Sequence, residues 1–250
     1  MKQTAIATRE TGDRLWRDGW QVVSTPAEVC PFIDLPGDFD SFLATLGSSH
    51  RYNYKRRLKN LQRDFDMKVE RATTDEERCD ALNTVIGLHL QRWRARGGSD
   101  AFNSAEVFAF HQEFTRLALE RGWLRMMVIR LNDRPAAAFY GFHYGSTYSF
   151  YQSGFDPALA KTSAGLVMIG LTIKDAIAEG ASCYDYLHGD ESYKFLWTKT
   201  VRQLVRLELY PPSRRGRMHL QAARMRSAAR RFAKAVLGIA PPPAPTLDIQ

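Results

Sequence analysis

A run of three closely spaced strands, a helix and one more strand restricts the fold of this chain more than any other feature. The strands are "WLRMMVIRL" (123–131), "AAAFYGFHYG" (136–145) and "TYSFYQSGF" (147–155), which are rich in aromatic residues and separated by short turns. Apolar residues follow at helical spacing over 163–179, and "CYDYL" (183–187) is typical of a buried strand. A helix between an antiparallel meander and a further strand predicts a crossover that joins two neighbouring parallel strands.

The flanking segments extend this pattern. Upstream, an alternating strand at 67–73 precedes two helices, at 75–96 and 104–122. Downstream, a short helix at 190–197 and a strand at 201–210 complete the order β-α-α-β-β-β-α-β-α-β. The second helix is predicted to bury Val107, Phe110, Phe114, Leu117 and Leu119. The order predicts an α+β (mixed α/β) fold, with a central and mostly antiparallel sheet flanked by helices.

Length and composition allow one full domain with appendages. Apolar residues make up 44% of the 250 residues, which is enough for a packed core. The N-terminus lacks the apolar segment of a signal peptide, and no apolar run approaches the roughly 18 residues that span a bilayer. Cys30, Cys79 and Cys183 are too scattered for a zinc site or a disulfide framework. We therefore expect a cytoplasmic protein without a metal.

The net charge of +8 comes from the C-terminal region. Residues 211–247 contain eight basic residues and no acidic one, and outside them the 27 basic residues equal the 27 acidic residues in number. The remainder of the chain is therefore neutral, so the charge does not indicate a nucleic-acid-binding domain. No specific nucleic acid is expected as a partner.

Two helices combine an apolar stripe with many cations. In the segment 48–65, six Lys and Arg side chains surround an apolar stripe made of Tyr54, Leu58, Leu61 and Phe65. These cations fit a solvated face and a platform for a phosphorylated acceptor or carrier about equally well. In the segment 214–237, arginines flank a stripe made of Ala222, Met225, Ala229, Phe232 and Val236. That stripe fits docking on the body of the protein or peripheral contact with an anionic membrane.

Two further segments carry candidate functional side chains. At the start of the crossover helix, "GFDPALAKTSAG" (154–165) offers a cation, two hydroxyls and small residues, a combination suited to phosphate binding at a helix N-terminus. An ordinary capped helix would have the same composition. The second segment, "DYLHGDESYKFLW" (185–197), groups acids, a histidine, a tyrosine and a lysine around one glycine. It is either an active-site floor or a polar turn with core aromatic residues.

In this order of elements the chain resembles the GNAT acyltransferase superfamily, and more narrowly the CelD-like acetyltransferase domain of bacterial polysaccharide-biosynthesis proteins. A more distant resemblance is to the Fem-type transferases, which add amino acids from aminoacyl-tRNA to cell-wall precursors. The resemblance spans residues 30–211. The segments that carry it are "CPFIDLP" (30–36), "LHLQRWRARGG" (88–98), "PAAAFYGF" (135–142), "YQSGFDP" (151–157) and "YDYLHGDESYKFLW" (184–197).

The resemblance implies a GNAT fold and acetyl-CoA as the acyl donor, held between the splayed strands 147–155 and 183–187. It implies catalytic roles for Tyr193, Lys194 and Asp185, with Tyr193 as the acid for the sulfur leaving group. The residues implied to bind the donor are Gln152, Ser153, Lys161, Thr162, Ser163, Ala164 and Gly165. Those implied to bind the acceptor are His89, Arg92, Trp93, His188 and Glu191, although His89 and Trp93 on one helix face also fit plain packing under the meander.

The implied acceptor is a small molecule or a carrier-linked sugar or amino sugar, and the implied setting is polysaccharide or cell-envelope synthesis. Contact through 48–65 and 214–237 would bring the protein to the inner membrane face. Two departures stand out: the usual pyrophosphate signature Gln/Arg-x-x-Gly-x-Gly/Ala is absent from 154–165, and about 65 residues precede the core, too few for a complete first Fem-type lobe. The division expected is therefore a partial N-terminal lobe (1–65), a GNAT domain (66–211) and a basic helix with a Pro-rich tail (212–250). A catalytically inactive relative that binds a polyanion or membrane is the remaining alternative.

Overall fold

The computed structural model describes residues 6–94, 102 and 104–236. It divides into two compact units, one of residues 28–202 and one that combines residues 1–27 with 203–250. These bounds differ from those of the three-part division drawn from composition, which stays an interpretation of the sequence. In the described ranges, no helix combines the length and hydropathy needed to cross a bilayer.

Seven helices and seven strands are described. The helices are α1 (Ile6–Arg17), α2 (Phe39–Thr45), α3 (Ser48–Asp64), α4 (Asp75–Arg94), α5 (Ala105–Glu120), α6 (Ala164–Ala178) and α7 (Arg214–Val236). The strands are β1 (Gln21–Asp34), β2 (Met67–Arg71), β3 (Leu124–Leu131), β4 (Arg134–Tyr144), β5 (Thr147–Phe155), β6 (Cys183–Asp185) and β7 (Val201–Tyr210). Short 3₁₀ segments at Pro157–Thr162 and Lys194–Leu196 interrupt the loops.

The strands form one sheet in the order β2-β3-β4-β5-β6-β1-β7. The pairs β2/β3, β3/β4, β4/β5 and β6/β1 are antiparallel, whereas β5 and β6 run parallel. Helix α6 joins β5 to β6, which is the crossover that the meander and the following helix predict. The predicted α+β architecture is therefore confirmed.

Each face of the sheet in the larger unit has its own core. On one face, α2, α3 and α6 pack against side chains such as Ile129, Phe139 and Tyr148. On the other face, α4 and α5 pack against side chains such as Val128 and Tyr140. Alternate residues of β3 and β4 thus enter opposite cores, as the two-residue period of a strand requires. Because both faces are covered, the middle of β4 is almost wholly buried.

The apolar stripe of α3 is confirmed as a core face, with Tyr54 and Leu61 buried. Tyr54 packs directly on α6, where a Cβ at Gly170 would lie 2.1 Å from Cε2 of its ring. The Tyr54 ring also meets the Trp197 ring edge-on, with centroids 5.6 Å apart. Glycine at position 170 therefore allows α3 and α6 to approach closely. The Tyr54 ring that packs against Gly170 in turn positions Trp197.

Two predictions about local structure are wrong. Helix α5 buries His111, Thr115 and Ala118, whereas Phe110 and Phe114 are exposed. The reason is a polar contact between helices, in which the buried Arg78 of α4 donates to the Thr115 hydroxyl at 2.9 Å. The helix predicted at 190–197 is only the 3₁₀ segment Lys194–Leu196, because a hydrogen-bonded loop occupies the residues before it.

Within the smaller unit, α7 packs through Leu220, which is 6% exposed. Beside Leu220 is a cleft of about 650 Å³, whose lining includes Tyr210 and three arginines, Arg206, Arg224 and Arg226. The predicted C-terminal helix is confirmed over Arg214–Val236, while Leu237 and the Pro-rich tail lie outside the described residues.

Candidate active site

The sheet opens between β5 and β6. The two strands pair for three residues each, ending with Ser149 opposite Asp185. Strand β6 ends there, whereas β5 continues to Phe155. Just past the last pair the rings of Phe150 and Tyr186 still touch, with centroids 5.6 Å apart. Beyond these rings no strand in the described ranges pairs with that side of β5, so its last residues form a sheet edge.

A β-bulge lies in β5 at the same level. Phe150 pairs with Gly141 and Gln152 pairs with Tyr140, so Tyr151 has no residue opposite it. A bulge bends a strand and increases its twist. The bulge therefore turns β5 at the point where it leaves β6.

Gly154 allows α4 to lie against this part of β5. A Cβ at residue 154 would be 2.8 Å from the backbone nitrogen of His89. One turn further along α4, the guanidinium of Arg92 lies 5.1 Å above the ring of Phe155. The close approach thus brings a positive charge of α4 to the free end of β5.

A cavity of about 250 Å³ opens at this split. Its lining includes the polar residues Ser153, Ser163 and Tyr193 and the cationic Arg92. The other lining residues are Ala136, Phe155, Leu159, Ala160, Ala164, Gly165, Leu166, Ile169, Leu196 and Trp197. A largely apolar cavity with a few polar groups is typical of a small-molecule site.

Ser163 begins α6 in a way that the sequence does not indicate. Its φ of 61° and ψ of 32° are left-handed, and its side chain makes no capping hydrogen bond. The Thr162 hydroxyl accepts instead, from the backbone N–H of Ala164 at 3.3 Å. Left-handed backbone at a residue other than glycine costs about 1 kcal/mol and is found preferentially at functional sites. Ser163 lines the cavity at the N-terminus of α6.

Tyr193 lines the cavity close to β5. Its ring is 6.3 Å from that of Phe150, centroid to centroid. Burial raises the pKa of the Tyr193 phenol above its ordinary value, the charge of Glu191 raises it further, and Arg92 partly opposes both. Tyr193 is therefore protonated at neutral pH and acts as a hydrogen-bond donor.

Lys194 is buried inside the loop that precedes Tyr193, away from the cavity lining. Its Nζ donates to the carbonyl of His188 at 2.8 Å and pairs with Glu191 Oε2 at 2.8 Å. The loop turns at Gly189, whose φ of 113° suits glycine and whose Cβ would lie 2.5 Å from Glu191 Oε2. Lys194 therefore closes the loop 188–194 and holds Tyr193 in place.

Asp185 is buried where β6 ends and does not line the cavity. Its carboxylate accepts from Arg202 Nη1 at 2.9 Å and from the backbone N–H of Leu187 at 2.9 Å. The Arg202 guanidinium in turn lies 3.6 Å above the Phe32 ring, which ties β1, β6 and the loop together. These contacts position the strand end.

Of the residues predicted to bind the donor, Ser153, Ser163, Ala164 and Gly165 line the cavity. The other three do not. Gln152 Oε1 accepts from the backbone N–H of Ser153, Lys161 is exposed, and the Thr162 hydroxyl donates to the Leu159 carbonyl.

Of the residues predicted to bind the acceptor, only Arg92 is on the cavity wall. His89 is buried against Phe102, and burial together with the charge of Arg92 lowers its pKa. His188 is exposed and its Nδ1 lies 2.7 Å from Glu28 Oε2. Glu191 is the partner of Lys194, and the Trp93 side chain lies outside the described residues.

The sequence analysis missed most of the apolar wall. Phe155, Leu159, Leu166 and Ile169 have the composition of ordinary core positions, and no sequence signal separates a cavity wall from a core. Trp197 could have been found, because it ends the segment 184–197 that carries the family resemblance. It is 2% exposed and also lines the cavity.

Replacing Lys194 with methionine should lower the free energy of unfolding by about 2 kcal/mol, because two hydrogen bonds of a buried ammonium group are lost. The difference from wild type should shrink as the pH falls below the ordinary range of glutamate. Burial alone would raise the pKa of Glu191, but the hydrogen bond from Lys194 helps to lower it overall. The stabilisation by Lys194 is therefore present above the ordinary pKa range of glutamate and is lost as Glu191 is protonated at lower pH. Urea unfolding at several pH values measures both effects.

The exposed Lys199→Met is the control for this variant and should change neither stability nor its pH dependence. An unfolding free energy of Lys194→Met equal to that of wild type would contradict the positioning role.

The comparisons with known proteins agree with this architecture. The family model described as an acetyltransferase (GNAT) domain matches residues 48–195. The fold is shared with FemX, at 12% identity and a TM-score of 0.56, over 82% of this chain and 67% of FemX. It is also shared with L-PGS from Bacillus licheniformis, at 12% identity and a TM-score of 0.51, over 87% of this chain and 70% of L-PGS. A third structure with this fold is a conserved protein of unknown function from Bacteroides thetaiotaomicron, at 12% identity and a TM-score of 0.55, over 82% of this chain and 67% of that protein. No curated protein matches the chain.

At these identities the solved structures show a common fold, and they bear out the distant likeness to Fem-type proteins. The matched segment 48–195 contains β2 to β6, α3 to α6 and all residues that line the cavity except Leu196 and Trp197. Because the family model covers more than half of the chain, the protein belongs to the GNAT acetyltransferase domain family.

Proposed function

We propose that this GNAT-type acyltransferase takes its acyl group from a coenzyme A thioester and transfers it to an amine or hydroxyl of a small sugar or amino-sugar acceptor. The observation that carries the proposal is the split between β5 and β6, with a cavity at the free edge of β5. The acceptor class, and the setting in polysaccharide or cell-envelope synthesis, come from the CelD-like resemblance.

The cavity suits the thioester arm of the donor. The N–H and C=O groups along the free edge of β5 can pair with the amide groups of the arm as a neighbouring strand would. The apolar wall, including Phe155 and Leu159, can pack against its methylene groups. At the start of α6 the Ala164 N–H donates to the Thr162 hydroxyl and the Leu166 N–H donates to the Ser163 carbonyl. The positive end of the helix dipole still favours an anion there, which suits a pyrophosphate.

Tyr193 is the proposed donor to the departing sulfur. Attack on the thioester carbonyl breaks the C–S bond and releases a thiolate, whose negative charge a hydrogen bond stabilises. A phenol whose pKa is raised keeps its proton and can donate that bond throughout the reaction. The new bond joins the acceptor nitrogen or oxygen to the acyl carbon, and the acceptor loses one proton. The cavity lining contains no carboxylate or imidazole among the described residues, so the proposal transfers that proton to water.

A second candidate is aminoacyl transfer from tRNA, as in Fem-type enzymes. FemX is among the solved structures that share the fold, and α3 carries cations that could meet a phosphate backbone. Several of these cations are already engaged: Arg63 pairs with Asp64, Lys55 lies 3.8 Å from Asp40, and Arg51 bonds the Leu43 carbonyl. This candidate therefore ranks second.

Gly165→Leu should weaken binding of acetyl-CoA at least tenfold, because a leucine at this position would fill the cavity that receives the arm. Gly165→Ala is the matched control, since its Cβ would meet Phe155 at an ordinary 3.5 Å and should leave the affinity nearly unchanged. Isothermal titration calorimetry measures both.

Absence of saturable acetyl-CoA binding to the wild-type protein would overturn the proposal. Saturation with aminoacyl-tRNA in its place, followed by transfer to a cell-wall precursor, would establish the second candidate.

A further inference from the structure

Helix α7 presents an apolar stripe to solvent. Met218, Met225 and Phe232 are 71%, 72% and 73% exposed. They are spaced seven residues apart, which is about two helical turns, so the three side chains project from one face. Burying such side chains lowers the free energy, yet no described residue covers these three.

The opposite face of α7 is the one that packs. Leu220 is buried, and a Cβ at Gly216 would lie 2.1 Å from the Pro211 carbonyl oxygen. Successive residues turn by about 100°, so Leu220 lies roughly opposite Met218 and Met225. The sequence allowed two interpretations of this helix, docking on the body of the protein and peripheral contact with an anionic membrane. Docking accounts for the burial of Leu220, but it leaves the exposed stripe unexplained.

Arginines border the exposed stripe on both sides. Arg217 and Arg224 follow one flank, and Arg215 and Arg226 follow the other; Arg224 and Arg226 also border the cleft beside Leu220. All four are exposed, and no acidic residue occurs between residues 211 and 236. An apolar centre between two rows of cations is the arrangement of helices that lie in the plane of a membrane interface.

An exposed tryptophan lies in the same unit. Trp16, near the end of α1, is 69% exposed. The turn that follows α1 reaches the segment before α7, because a Cβ at Gly19 would lie 3.5 Å from the Pro212 side chain. Tryptophan favours the boundary between water and lipid, where its ring is apolar and its N–H remains hydrogen-bonded.

We propose that the outward face of α7 binds the surface of an anionic lipid bilayer, with the Met218–Met225–Phe232 stripe between the acyl chains and the flanking arginines at the lipid phosphates. Pairing of α7 with a second copy would bring two rows of arginines together without acidic partners, which charge repulsion disfavours. A nucleic acid would use the arginines and leave the apolar stripe in water. An anionic bilayer satisfies both features.

The test is co-sedimentation of the full chain with vesicles of phosphatidylcholine and phosphatidylglycerol, beside vesicles of phosphatidylcholine alone. Wild type should bind the anionic vesicles, and the binding should weaken with salt. Met225→Ser with Phe232→Ser leaves the charge unchanged and should weaken binding about tenfold through lost apolar burial. Arg217→Gln with Arg224→Gln should weaken binding about thirtyfold. Each cation near an anionic surface raises the affinity about fivefold, and this pair removes two cations.

The matched controls lie on α3, the other basic helix. Tyr52→Ser removes a side chain that is 65% exposed, and Arg57→Gln with Lys59→Gln removes two cations; neither variant should change vesicle binding. Three vesicle results would overturn the proposal. The first is no binding of wild type to anionic vesicles, and the second is equal losses in the α3 variants. The third is vesicle binding that the Met225→Ser, Phe232→Ser pair does not weaken, which would indicate a surface for polyanions such as nucleic acid. Conversion of a wild-type dimer to a monomer by that same pair, measured by analytical ultracentrifugation, would assign the stripe to self-association and would likewise overturn it.

Discussion

Tyr193→Phe should lower kcat for acyl transfer by about a hundredfold, because the hydrogen bond to the departing sulfur is lost while the ring that lines the cavity is kept. The affinity for acetyl-CoA should stay within about twofold of wild type, since the donor's contacts with β5 and α6 do not involve the phenol oxygen. Release of free CoA thiol measures the rate, and calorimetry measures the affinity.

Tyr144→Phe is the control, because Tyr144 is 67% exposed and takes no part in the cavity lining. It should match wild type in both measurements. A Tyr193→Phe enzyme with unchanged kcat would remove Tyr193 from the chemistry, whereas a loss confined to affinity would make it a donor-binding residue.

The order of elements was sufficient to predict the crossover beside which the sheet splits, whereas the split itself was implied by the resemblance to the GNAT superfamily. A meander, a helix and a short apolar strand have few arrangements, since crossovers between parallel strands need about a dozen residues and are nearly always helical. The 15-residue helix α6 between β5 and β6 is that crossover. The cavity residues at the start of α6 followed from the same argument, because a helix N-terminus beside a strand end is fixed by connectivity.

The individual side chains followed less well, because loop geometry decides where each one points. Ser163 precedes small residues and so resembles an ordinary N-cap, yet it follows a 3₁₀ turn with a left-handed backbone and makes no capping hydrogen bond through its side chain. Lys194 is next to Tyr193 in sequence but points into the loop, because Gly189 bends the chain around its ammonium group. Neither conformation has a signature in residue types alone.

Strand β1 was not predicted as a strand, although the segment 30–36 was singled out by resemblance. Its 14 residues include Pro26 and Pro31, which cannot donate hydrogen bonds and which normally argue against a central strand. β1 nevertheless pairs with β6 from Phe32 to Asp34, on the C-terminal side of both prolines. Strand β6 thus pairs with β1 on one side and with the first three residues of β5 on the other.

The cavity also depends on residues far from it in sequence. Trp197 lines the cavity and packs against two rings of α3, those of His50 (centroids 4.6 Å apart) and Tyr54 (5.6 Å). Tyr54 in turn lies against Gly170 of α6. The spacing between α3 and α6 thus reaches the cavity wall through two aromatic side chains.

Gly170→Ala should therefore destabilise the fold by about 3 kcal/mol, more than a hundredfold in the ratio of folded to unfolded protein. The added Cβ would lie 2.1 Å from the Tyr54 ring, and that ring is 2% exposed and bounded by Phe39 and Trp197, so it cannot move aside. The gain in helix propensity, about 1 kcal/mol, is smaller than this overlap. Urea unfolding gives the free energy.

Gly87→Ala is the same substitution in the interior of α4, where the added Cβ would meet nothing within 4 Å, and it should stabilise the protein by up to about 1 kcal/mol. In a Tyr54→Val background the side chain ends before the ring atoms that the new Cβ would meet, so Gly170→Ala should there cost little. If Gly170→Ala were instead as harmless as Gly87→Ala, the contact between α3 and α6 would not be tight, and Trp197 would not be held by it. With a tight contact, the residual folded Gly170→Ala protein should also bind acetyl-CoA more weakly, because a displaced Tyr54 moves Trp197 into the cavity.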